Sequence, residues 1–61
     1  MRELLAAEQS AGMLKDEIED ALSSTTNPIL KTEISKLHKD AARIEDKLRR
    51  LNAQILKEGL L

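Results

Sequence analysis

The chain contains no Phe, Tyr or Trp, no Cys and no Val, and its 61 residues include one Pro and two Gly. Without aromatic rings, burial has to come from aliphatic stripes packed helix against helix. Without Cys no disulfide can staple the fold, and the redox compartment is left open. With so little Gly and Pro, 34% charged residues and many good helix formers, the composition reads as long helix or coiled coil. No apolar run approaches the roughly 18 residues that a membrane span needs, and "MREL" does not open a signal peptide. A soluble intracellular chain with no membrane partner is expected.

Apolar content is 41%, supplied by Leu, Ile, Ala and two Met. A chain of this length makes at most one small domain, and such chains rarely close a core unaided. One aliphatic stripe returns roughly 1.5–3 kcal/mol per large residue, against about 1.5 kcal/mol of ordering cost for every residue. The chain is therefore expected to be helical only when associated. Its charge is divided: residues 1–27 carry Arg2 and Lys15 against six acidic side chains, and residues 28–61 carry eight basic against five acidic. Opposite signs help the two halves pack together, or help each find a partner.

The second half carries the clearest pattern. Leu30, Ile34, Leu37, Ala41, Ile44, Leu48, Leu51 and Ile55 recur at alternating steps of four and three. This is a heptad seam with a at Ile34, Ala41, Leu48 and Ile55, and d at Leu30, Leu37, Ile44 and Leu51. In the first half Leu4, Ala7, Ala11, Leu14, Ile18 and Ala21 fit the same template, weakened by three Ala and by Gly12 in mid-segment. The phase slips by two residues between the halves, where "SSTTNP" falls. Asn27 followed by Pro28 is a good cap and first-turn pair, because Asn accepts orphan amide bonds and Pro needs no donor. The pattern predicts a first helix within 1–22, a break at 23–27, a second helix over 28–58 and a frayed end at 59–61, with no independent globular domain.

Chemistry-bearing residues are sparse. His38 flanks the seam, and the positions three and four residues away are Ile34, Ser35, Ala41 and Ala42, none of them a ligand. It reads as a solvated or salt-bridging side chain. The acidic run "KDEIED" lacks the loop of a calcium site and the Glu-x-x-His spacing of a carboxylate-bridged metal, so it reads as a solvated face. With no nucleophile–base pair and no phosphate loop, the expectation is no catalysis, no cofactor and no metal. Lys36, Lys39, Arg43, Lys47, Arg50 and Lys57 could touch phosphate, but acidic residues interleave with them and no aromatic can stack on bases.

Around the junction the chain resembles the coiled-coil region of the meiotic homologous-pairing protein family, also called TBP-interacting proteins. Leu22, Ser23, Ser24, Thr25, Thr26 and Pro28 carry the likeness, followed by Glu33, Ile34, Leu37, Lys39, Ala42 and Leu48, over about forty residues. Asn27 is an added residue, and Ile44 stands where that family would have an aromatic. The resemblance implies a segment of a longer nuclear protein that pairs in parallel with a meiotic nuclear division partner and supports strand exchange in homologous recombination. It also implies that "SSTTNP" is a kink between coiled-coil segments.

Two all-α arrangements follow. The preferred one is a kinked two-helix coiled-coil rod serving as a non-catalytic oligomerisation module. Its partner is another coiled-coil chain, heteromeric or a second copy in antiparallel pairing. The alternative is an antiparallel hairpin that dimerises into a four-helix bundle, acting as a scaffold or nucleic-acid binder. Parallel self-pairing is disfavoured because Asp40 would face Glu45. Antiparallel self-pairing along the seam would bring Asp40 near Lys47 and His38 near Glu45. In a hairpin the longer second helix is expected to leave Leu48, Leu51 and Ile55 uncovered.

Overall fold

The computed structural model describes residues 2–59. It holds two helices, α1 over Arg2–Ser24 and α2 over Pro28–Lys57, joined by three residues. Helix α1 runs two residues beyond the expected boundary. Ser24 Oγ donates to the Asp20 carbonyl at 2.8 Å and the Thr25 amide donates to the Ala21 carbonyl at 3.2 Å, so the Ser pair is absorbed into the last turn.

The break itself resets the chain direction. Asn27 is extended (φ −77°, ψ 119°), and its side-chain oxygen accepts from the Ile29 and Leu30 amides at 2.9 and 3.1 Å. Pro28 takes the first helical position, and the Lys31 amide donates to the Asn27 carbonyl at 2.9 Å. Upstream, the Asn27 amide donates to Thr25 Oγ1 at 3.3 Å. The orphan donors of α2 are thus satisfied from within the turn.

The helices lie side by side as an antiparallel hairpin. Two all-α helices are present as expected, in the hairpin arrangement and not the rod. Laid end to end they would span about 75–80 Å at 1.5 Å per residue, whereas the longest extent is 47 Å and the others are 14 and 11 Å. The physical reason is a set of bonds from one helix to the other that a rod cannot make: Lys15 to Glu45, His38 to Glu19, and Asn52 to both Leu4 and Glu8.

Those bonds fix the register, placing Leu4 level with Ile55, Ala11 with Leu48, and Ile18 with Ala41. Ala11, Ile18, Ala41 and Ile55 are the buried apolar residues. A small residue on one helix therefore sits level with a large one on the other in the two central layers, which lets the axes approach without a void. Gly12 serves the same approach. A methyl there would lie 2.7 Å from Glu45 Oε2, so the glycine leaves room for that carboxylate despite costing about 1 kcal/mol relative to Ala in a helix.

The expected overhang at the far end is corrected. Ile55 is buried and Leu48 half-buried, while Leu51 is exposed because it points sideways and not because α1 has ended. The extra length of α2 lies at its start, where residues 28–33 are all exposed beside the extended turn. Helix α2 stops at Lys57, one residue short of the expected 58. Glu58 takes the cap, the Gly59 amide donates to the Leu56 carbonyl at 3.1 Å, and Gly59 adopts φ 71°, a left-handed value natural to glycine. Beyond Gly59, the frayed end expected at 59–61 lies outside the described residues.

Replacing Asn27 with Ala should strand two amides of the first turn and cost about 1 kcal/mol. Urea unfolding at fixed protein concentration is expected to show a lower midpoint with an unchanged slope. An unchanged midpoint would mean that the cap does not hold the turn.

Candidate protein-interaction face

The two long edges of the hairpin differ in chemistry. In an antiparallel pair that meets through its a rows, the e and b positions of both helices fall on one side and the two d rows on the other. The first side is polar. Lys15 Nζ donates to Glu45 Oε1 at 2.8 Å, with both side chains largely shielded, and Arg49 reaches the same carboxylate at 3.6 Å and Glu8 at 3.9 Å. His38 Nε2 donates to Glu19 Oε1 at 2.9 Å. The salt-bridging reading of His38 thus has a named partner. His38 and Glu45 are both engaged within the chain, with Glu19 and Lys15 respectively.

Asn52 sits at the end of this edge and is buried. Its Nδ2 donates to the Leu4 carbonyl and to Glu8 Oε1, both at 2.9 Å, and two acceptors on one side fix the amide orientation. Its Oδ1 is buried with no donor. One turn of slip would lose both donated bonds, so Asn52 acts as a register pin.

The opposite side is apolar and open. Leu14 is 51% exposed, and along α2 the exposures are 51% at Leu30, 53% at Leu37, 54% at Ile44 and 48% at Leu51. Ala21 is exposed beside them and Ala7 half-buried. The seam expected from the heptads is therefore divided. Its a row (Leu4, Ala11, Ile18 with Ile34, Ala41, Leu48, Ile55) closes the hairpin, and its d row stays uncovered. Asn27 and Pro28 form the cap as expected and lie apart from this face.

Heptad reading alone missed Glu8 and Asn52, and with them the cross-helix contacts of Gly12, Lys15 and Glu45. The signal lay in the e positions: Glu8 and Lys15 on α1 against Glu45 and Asn52 on α2 are complementary once an antiparallel register is assumed. Among the described residues there is no pocket, no cluster of three or more His, Asp or Glu side chains able to hold a metal, and no helix long and apolar enough to cross a membrane. Neither a protein-family model, a curated protein nor a solved structure matches this chain.

The ion pair on the polar edge perturbs both partners. The hydrogen bond to Glu45, reinforced by its negative charge, holds the Lys15 ammonium above the ordinary lysine value. The hydrogen bond from Lys15 outweighs desolvation and, with the nearby positive charges, holds the Glu45 carboxyl below the usual carboxylate range. A depressed Glu45 contributes stability that is present above the ordinary glutamate pKa, near ~4.3, and lost as pH falls through the folded value. A raised Lys15 contributes stability that is present below the ordinary lysine pKa, near ~10.4, and lost as pH rises through the folded value. Glu45→Gln should therefore lower stability at neutral pH and flatten the acid decline, as read from unfolding midpoints across pH. Equal acid declines in both proteins would show that the pair contributes nothing.

Proposed function

We propose that the chain is a non-catalytic oligomerisation and interaction module whose working surface is the open d row. One observation carries this reading: Leu14, Leu30, Leu37, Ile44 and Leu51 form a continuous aliphatic stripe, each about half exposed, with nothing among the described residues to cover it. An apolar stripe rimmed by charged residues marks a surface made for another helix. Its partner is a coiled-coil chain, either different or a second copy.

Nucleic-acid binding is the weaker reading on the same residues. Lys36, Arg43 and Arg50 each lie beside an acid of their own helix, at 3.5 Å from Glu33, 3.7 Å from Asp40 and 3.0 Å from Asp46, which lowers the positive potential of the ridge. A role in a nuclear recombination complex rests on the resemblance around Leu22 to Pro28, and its support would be specific pairing with a meiotic coiled-coil partner.

Sedimentation equilibrium over a micromolar concentration series, on the wild-type chain and on Ile44→Lys, tests the module. The wild-type mass should rise above that of one chain, and the substitution should weaken association tenfold or more, about 1.4 kcal/mol. A helical, cooperatively melting monomer at every concentration, indifferent to the substitution, would contradict it. Tight and steeply salt-dependent DNA binding in a gel shift would favour the nucleic-acid reading instead.

A further inference from the structure

We infer that the open face is covered by a second copy of this chain, related by a two-fold axis parallel to the helices, so that α1 of each copy lies over α2 of the other and both turns sit at the same end. This rests on the interaction-module reading above and specifies its partner and geometry.

Two features distinguish this packing from its rival, in which the two-fold runs across the helices and like helices stack. The first is charge on the rims of the open face. The rim of α1 carries Glu3, Glu17 and Asp20, with no basic side chain. The rim of α2 carries Lys36, Arg43, Lys47, Arg50 and Lys57, against Glu33 and Asp40. All of these are exposed. Stacking α1 on the partner's α2 sets an acidic rim against a rim of net positive charge along both sides of the bundle, and Glu17 falls level with the stretch between Asp40 and Arg43 of the partner subunit. Stacking like helices sets acid against acid on one side and an excess of base against base on the other, with Asp40 to Lys47 as its best contact.

The second feature is size. The register places Ala7 level with Leu51, Leu14 with Ile44 and Ala21 with Leu37. With α1 over the partner's α2, each Ala of the d row meets a Leu in both directions, and Leu14 meets Ile44 at the centre. With like helices stacked, Ala7 meets Ala21 and Leu37 meets Leu51, which leaves a void on one side and crowding on the other. The area is adequate. A Cα outline of 47 by 14 Å, once side chains are added, is comparable with the ~800 Å² per partner of a standard stable interface.

A single spin label at Thr26→Cys, on the exposed turn, reads the geometry directly in the associated wild-type background. Turns at the same end place the two labels roughly 15–30 Å apart, given neighbouring axes about 8–10 Å apart. Turns at opposite ends place them more than about 40 Å apart along helices that rise 1.5 Å per residue. The short distance is expected. A long distance in a confirmed dimer would overturn this geometry and leave the interaction module standing, whereas a chain that stays a helical, cooperatively melting monomer would overturn both. Charge reversal gives an independent readout. Glu17→Lys should weaken the dimer severalfold, and adding Arg43→Glu should restore it, because the two side chains meet only between copies. Failure of the second change to restore association would also overturn the proposal.

Discussion

Each helix of this chain carries two apolar rows, and an antiparallel pair in contact through one row can bury only that row. Everything else follows from this constraint. Once the a row has turned inward, with Ala11, Ile18, Ala41 and Ile55 buried, no described residue is placed to cover Leu37 or Ile44. Within the hairpin that row is left open.

The direction of opening is set by polar chemistry. Lys15, Glu45, Arg49, Glu8 and Asn52 link the helices along one edge, and the bonds that hold them also leave that edge charged. Covering it with another helix would strip water from several charged groups, at a cost that pairing only partly offsets. The apolar edge carries no such penalty. The polar edge thus has two effects, fixing the register of the hairpin and directing association to the other side. Gly12 belongs to the same arrangement, since a side chain there would displace the Glu45 carboxylate on which the edge is centred.

Much of this was legible in the sequence. The heptad positions identify both helices and every residue of the two rows, and Asn27 with Pro28 marks the start of α2 in advance. The sequence leaves rod and hairpin both open, because a Ser/Thr run before Pro is compatible with either a kink or a reversal. Local turn chemistry does not distinguish them. What does is pairing between residues some thirty or more apart, such as Lys15 with Glu45 and Glu8 with Asn52, which appears only when one helix is laid against the other in a definite register. The division of the seam was hidden for the same reason. A heptad pattern says which residues are apolar, and the partner's polar groups decide which of the two rows turns inward. The end of α1 lies two residues past the boundary that the heptad pattern implies, because the Ser24 hydroxyl finds the Asp20 carbonyl and stays helical.

The central claim is that one row closes each chain on itself and the other joins chains together. Isotope-filtered NMR on a mixture of labelled and unlabelled chains separates the two kinds of contact methyl by methyl. The account predicts that Leu14, Leu37 and Ile44 show contacts between chains, while Ile18 and Ile55 show contacts within a chain alone. Contacts between chains at Ile18 and Ile55, with Leu37 and Ile44 left in solvent, would contradict it.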